Sequence, residues 1–406
     1  MKCRHCGKEL KYEFIDLFNS PPSNSYLTEE ELNKVEVLYP LKIWVCDNCF
    51  LVQIDEYKKS DEIFNVDYAY FSSVSSSWLS HCQKYVDMIT ERLNLDKKSH
   101  VVEIASNDGY LLQYFKEKAI PSLGIEPTAS TAIVAKEKGI NVIEEFFNSK
   151  LAKSLVKSDL ILGNNVLAHI PDINDFVKGL KIALKENGTI TMEFPHLLNL
   201  IKYNQFDTIY HEHFSYLSLL TVKRIFTSQG LKIYDVEELS THGGSLRIYA
   251  THVENDIKIE TAVDELITKE KSFNLNKIEG YKNFEKKCQK IKWDFLDFIV
   301  NAKKKNKTVV AYGAAAKGNT FLNYCGIKSD VIDFVVDRSP FKQNKYLPMS
   351  HIPIVDEEEI MKNKPDYILI LPWNIKDEII NQLDYLKNRR GWTKFVLAIP
   401  KLKVIR

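Results

Sequence analysis

The residues best able to do chemistry crowd into one stretch, Tyr210-His211-Glu212-His213-Phe214-Ser215-Tyr216. Two histidines, a carboxylate and two phenols could take a proton from a substrate and hold the negative charge that results. Histidine changes charge near neutral pH, and a neighbouring Glu or Tyr shifts or shares that proton. Taken singly, each of these residues reads better as a satisfied core histidine or a loop tyrosine. His211 and His213 on a strand would also share a face as metal ligands, but no third ligand is identifiable, so proton transfer is the expectation.

A second set of reactive residues lies at the N-terminus. Cys3-x-x-Cys6 and Cys46-x-x-Cys49 are separated by 39 residues. Each turn aims two thiolates at one point, and two turns complete the tetrahedral shell that zinc prefers. No strand-helix-strand pattern brackets either pair, which argues against thioredoxin-like redox use. Four thiolates leave no open position, so the expected zinc is structural. His5 could replace a ligand, but the full cysteine set makes that unnecessary. The other three of the seven cysteines, Cys82, Cys288 and Cys325, stand alone. Such an odd set suits a reducing cytoplasm better than a disulfide framework.

Size and charge narrow the class. A chain of 406 residues should form two or three domains. The formal charge of +1 offers no footprint for nucleic acid or an anionic membrane. No apolar run approaches the ~18 residues of a membrane span. The opening Met1-Lys2-Cys3-Arg4-His5-Cys6 lacks the apolar region of a signal peptide, so the expected location is cytoplasmic.

From residue 100, short apolar runs alternate with helical patterns. The runs are 101–104, 123–126, 142–144, 159–163, 189–194, 232–236 and 246–250, and amphipathic pieces at 111–118, 129–138 and 173–184 lie between them. This rhythm predicts a parallel, doubly wound α/β sheet. The last two runs, joined by a turn with Gly243-Gly244, predict an antiparallel hairpin at one edge. Ligands in such sheets bind beyond the carboxyl ends of the strands. There the first run opens into Glu103-Ile104-Ala105-Ser106-Asn107-Asp108-Gly109, and the second ends in Glu126-Pro127. Glu126, 23 residues after Glu103, is placed to accept from both ribose hydroxyls of an adenosine-type ligand. The three-glycine loop of dinucleotide sites is absent, so a nucleoside without phosphates, such as S-adenosylmethionine, fits better than NAD. Asn164 and His169 follow the fourth run and His196 the fifth, so four histidines, with His211 and His213, lie past one sheet edge.

Residues 255–300 read as a helical connector. A second α/β unit then begins at Thr308 to Thr320, with later strands expected at 331–336, 367–371 and 395–399. Its small-residue turn with Gly313, Lys317, Gly318 and Asn319 could cradle a phosphate, and Asp337 could address a ribose. The order Lys317-Gly318-Asn319 is not that of a P-loop. A purely structural domain closing a cleft is the alternative.

The whole chain resembles the S-adenosylmethionine-dependent sugar C-methyltransferases, which act on nucleotide-linked keto-deoxysugars. The resemblance rests on the paired Cys-x-x-Cys motifs, Tyr68-Ala69-Tyr70-Phe71-Ser72-Ser73, 103–109, 164–171, Glu193-Phe194-Pro195-His196, 210–218, Gly243-Gly244-Ser245 and 312–319. It implies a zinc-binding domain over 1–72, a class I methyltransferase domain with a seven-stranded sheet over 73–254, and a connector with a Rossmann-like sugar-nucleotide domain over 255–406. It implies that Glu103, Ala105, Asn107, Asp108, Gly109, Glu126, Pro127 and Asn164 hold the cofactor. With the spacing, it further implies His213 as base, Glu212 as the group orienting or sharing its proton, and Tyr210 and His169 as donors to an enolate oxygen. Tyr70 is then a further acid/base or positioning residue, with Tyr68 as the alternative or a substrate contact. His196, Gly313, Lys317, Asn319 and Asp337 are expected on the sugar nucleotide. The chain is expected to work as a monomer, with neither nucleic acid nor membrane as partner. A keto-sugar epimerase keeping the same base and a non-enzymatic binding protein are the competing readings.

Overall fold

The computed structural model describes residues 1–59, 62, 71–386 and 393–405. Two compact units emerge, each drawn from separated stretches of chain. One comprises Met1–Lys11, Cys46–His196 and Phe214–Gly280; the other comprises Tyr12–Val45, Leu197–His213 and Tyr281–Arg406.

The first unit is built on seven strands: β1 (Val101–Ile104), β2 (Ser122–Ile125), β3 (Val142–Ile143), β4 (Ser158–Asn164), β5 (Leu184–Pro195), β6 (Leu231–Leu239) and β7 (Ser245–His252). Their order is β6-β7-β5-β4-β1-β2-β3. The five early strands run parallel, and β6 and β7 form the expected antiparallel edge hairpin. All four residues of β1 are buried, because helices cover both faces of a parallel sheet.

Helix Ser76–Leu93 shows how one such cover forms. The Ser75 side chain caps it by accepting from the Trp78 amide, and Asn94 ends it in the left-handed conformation. It buries Cys82, Tyr85, Val86 and Ile89, spaced as one helical face, against Val101, Phe115, Leu160 and Tyr249. Each large apolar side chain so buried contributes roughly 1.5–3 kcal/mol.

The second unit carries a six-stranded sheet of β8 (Val309–Tyr312), β9 (Val335–Val336), β10 (Ile354–Val355), β11 (Tyr367–Ile370), β12 (Lys394–Leu397) and β13 (Lys403–Ile405). The order is β10-β9-β8-β11-β12-β13, parallel except for β13. The strand expected over 331–336 is only two residues long, because Val331 and Ile332 donate back to the Lys328 carbonyl in a turn. The short β10 and β13 carry too little pattern to be read beforehand. An antiparallel hairpin, Tyr12–Ser20 with Tyr39–Val45, belongs to this unit, and its Phe14 stacks on Phe284 with ring centroids 4.6 Å apart.

Candidate functional site

The cysteine pairs meet in the first unit. The Sγ atoms of Cys3, Cys6, Cys46 and Cys49 all lie within 4.8 Å of one another, the one such metal-ligating group among the described residues. The two turns are built alike. Gly7 and Phe50, both at positive φ, donate their amides to the Cys3 and Cys46 carbonyls. Gln53 Nε2 donates to Cys3 Sγ at 3.2 Å and the Asn48 amide to Cys46 Sγ at 3.4 Å, bonds that favour thiolates. His5 is engaged elsewhere, its Nδ1 being 2.8 Å from Asn174 Oδ1, so it does not replace a ligand.

The turn after β1 is tight and acceptor-rich. Ala105, Asn107 and Gly109 have φ of 58°, 47° and 74°. At Gly109 a side chain is doubly excluded, because a Cβ would stand 2.3 Å from Ile140 Cδ1. Glu126 accepts from the Asn107 and Thr128 amides, at 2.9 Å each, so it braces the turn that it faces. Burial raises the Glu126 pKa, against these hydrogen bonds. Pro127 leads from Glu126 into helix Ala129–Glu137. Glu103 is fully buried, and burial holds its pKa well above the usual carboxylate range. Tyr110 steadies it, yet neither of its oxygens has a well-formed hydrogen bond. Ser106 Oγ and Asp108 Oδ1 are likewise buried and unbonded. The unbonded Glu103 and Asp108 oxygens fit a ligand with an ammonium group and ribose hydroxyls.

Past the other strand ends, Asn164 closes β4 and His169 ends a short helical turn, both half-buried. His196, expected on the sugar nucleotide, is placed just past the end of β5. Its ring is wholly buried and its Nε2 lies 2.8 Å from Glu270 Oε1. The Glu270 carboxylate also accepts the Leu219 and Leu220 amides, which open helix Leu219–Ser228. His196 therefore helps to clasp that helix end.

The Tyr210–His213 loop sits in the second unit. The Thr208 carbonyl lies 2.9 Å from His213 Nδ1. A carbonyl only accepts, so Nδ1 carries the hydrogen of the neutral ring and Nε2 the lone pair. The Tyr210 ring lies over His213 with centroids 4.0 Å apart. Glu212 is the group expected to orient His213; at Nδ1 that part is played by Thr208. The Glu212 carboxylate is gripped by Asn24 Nδ2, at 3.0 and 2.8 Å. His211 turns away, its Nε2 3.3 Å from the Pro40 carbonyl, and burial lowers its pKa to about 4. The two histidines thus point to different partners. Tyr68 and Tyr70 lie outside the described residues.

Around the turn after β8, Gly313 has φ 90° and leaves no room for a side chain beside Pro372. Asp337, at the end of β9, accepts the Ala314 and Ser339 amides at 2.8 and 2.9 Å. Lys317 Nζ donates to Asn374 Oδ1 at 2.7 Å and lies over the Trp373 ring. Asn319 is buried, and its Nδ2 donates to the Ser23 carbonyl.

Comparison with known proteins gives three successive matches along the chain. Residues 3–64 match a zinc binding domain, 78–236 a methyltransferase domain and 240–400 the C-methyltransferase C-terminal domain. The chain is 33% identical over 409 residues to the C-methyltransferase NovU of Streptomyces niveus, covering 100% of this chain and 96% of that one. The chain belongs to the S-adenosylmethionine-dependent C-methyltransferases. Solved structures similar to its sheet include an S-adenosylmethionine-dependent methyltransferase from Clostridium acetobutylicum (11% identity, TM-score 0.35, 43% of this chain and 92% of that). Another is the magnesium protoporphyrin IX methyltransferase of Synechocystis PCC 6803 with bound SAH (15%, 0.35, 43% and 84%). In this C-methyltransferase, S-adenosylmethionine is the cofactor and the four-cysteine cluster binds zinc. No helix among the described residues is long and apolar enough to cross a membrane.

Proposed function

We propose that the acceptor is a nucleotide-linked 4-keto-deoxysugar, methylated on the carbon next to the ketone, C3, in the biosynthesis of a branched deoxysugar. The observation that carries this reading is the His213 ring, held by Thr208 in the tautomer whose Nε2 can accept a proton. A carbon beside a ketone has an acidic proton, and its removal gives an enolate that is nucleophilic at carbon. His213 takes that proton, Glu212 orients the base or shares its proton, and Tyr210 and His169 donate to the enolate oxygen. S-adenosylmethionine supplies an electrophilic methyl group on a sulfonium. Glu103, Ala105, Asn107, Asp108, Gly109, Glu126, Pro127 and Asn164 hold it, Glu126 through the ribose. Gly313 and Lys317 receive the pyrophosphate, and Asp337, which braces their turn, addresses a ribose. Tyr70, or Tyr68, completes the acid/base set. As modules, 1–72, 73–254 and 255–406 divide zinc, cofactor and sugar nucleotide between them. The full-length likeness to NovU supports carbon as the acceptor atom.

The test incubates the protein with methyl-deuterated S-adenosylmethionine and a panel of nucleotide-4-keto-6-deoxysugars, read by mass spectrometry. A sugar nucleotide heavier by a deuterated methyl on carbon, lost in His213→Ala, is expected. Solvent-deuterium uptake beside the ketone without methyl gain would replace the transferase with an epimerase.

A further inference from the structure

The segment Pro21-Pro22-Ser23-Asn24-Ser25-Tyr26 carries no motif, yet it reaches the proposed base loop within the second unit. Asn24 Nδ2 lies 3.0 and 2.8 Å from the two Glu212 oxygens. Its amide oxygen faces the Tyr26 hydroxyl at 3.4 Å, and that hydroxyl donates to the Ala314 carbonyl at 2.6 Å. A flipped amide would set oxygen against carboxylate, so the network fixes which way Asn24 points. The side chain of Ser23 pins the segment as well. Ser23 Oγ lies 3.2 Å from Thr320 Oγ1, which donates to the Ile209 carbonyl at 2.9 Å. Thr320 thus ties the segment to the loop that carries Glu212.

We propose that Asn24 is a positioning residue of the methyl transfer, holding Glu212 as an aimed carboxylate beside His213. The inference rests on the reading that Glu212 supports the base. Asn24 contributes a neutral donor, which stabilises an ionised carboxylate without cancelling its charge. The other titratable groups of this neighbourhood are Tyr26, Lys342 and Asp337 from other elements, and Tyr210, His211 and His213 from the loop itself.

Three variants decide it: Asn24→Ala, Asn24→Asp and Glu212→Gln, each assayed for kcat against pH and for S-adenosylmethionine Kd. Asn24→Ala removes a donor to a charged group and should lower kcat about 10- to 100-fold, with the cofactor Kd unchanged. Asn24→Asp sets two carboxylates within hydrogen-bond distance, which then share a proton. The acid limb of kcat should move up by about one pH unit or more. Such a move is not produced by a merely structural role. Wild-type kcat and pH profile in both Asn24 variants, with Glu212→Gln impaired, overturn the proposal. Wild-type kcat in Glu212→Gln instead overturns the role of Glu212 beneath it. If Asn24→Asp fails to fold, seen as a lost thermal transition, Asn24→Ala decides by its pH profile, whose acid limb should also move up once Glu212 loses its donor.

Discussion

Asp207→Asn should stabilise the protein at neutral pH and leave it unchanged near pH 4. Asp207 is 1% exposed; one oxygen accepts Trp373 Nε1 at 2.7 Å and the other is buried without a hydrogen bond. Burial pushes its pKa up from 3.8 to about 6, although Lys317 pulls the other way. Burial also lowers the Lys317 pKa, so neither charge recovers its lost hydration from the other. A carboxyl that ionises at about 6 when folded and near 3.8 when unfolded destabilises the fold once the pH exceeds both values. The difference of about two pH units corresponds to roughly 3 kcal/mol at pH 7 to 8. The penalty vanishes below about pH 4, where both states are protonated. Asparagine keeps an acceptor for the Trp373 indole and never ionises. Urea unfolding of wild type and Asp207→Asn at pH 4, 5, 6, 7 and 8 should show their difference growing in favour of the variant between pH 4 and 6, then levelling off. A difference independent of pH would mean an ordinary carboxylate. A wild-type advantage that grows with pH would mean that the Asp207–Lys317 attraction exceeds the cost of burial, and the reasoning would fail.

Two further outcomes follow from the first unit. Cys46→Ser should abolish the single bound zinc, read by metal analysis, and open residues 1–54 to limited proteolysis, because three thiolates leave the shell incomplete. Gly109→Ala should weaken S-adenosylmethionine binding at least ~10-fold by calorimetry, since both the left-handed backbone and the contact with Ile140 oppose a side chain there.

Much of this was legible in the chain because it depends on pattern. The alternating runs gave the seven strands and the edge hairpin, since hydrophobic period reports burial directly. The spacing of Cys3, Cys6, Cys46 and Cys49 gave the metal cluster, since a four-thiolate shell needs little beyond two short turns. The partners of the base loop were not legible. Thr208 acts through its carbonyl, which every residue possesses, so no side-chain pattern marks it. Asn24 precedes Glu212 by 188 positions and belongs to a polar turn like many others. The inward partners of His196 and Asn319 were not legible either, because a polar residue at a strand end can face inward, where Glu270 and Ser23 meet it.

The interleaving of the two units sets a timetable for synthesis. Cys3 and Cys6 need only Cys46 and Cys49, so the metal staple can close while little more than the first fifty residues have left the ribosome. The hairpin Tyr12–Val45, looped out between those cysteines, belongs to the other unit and stacks on Phe284, 239 positions beyond Val45. At ~5–20 residues per second the nascent hairpin waits roughly 12–50 s for that partner. Throughout that interval Phe14, buried in the finished protein, lacks the ring it finally stacks on. A ribosome-associated chaperone should find its earliest client surface there.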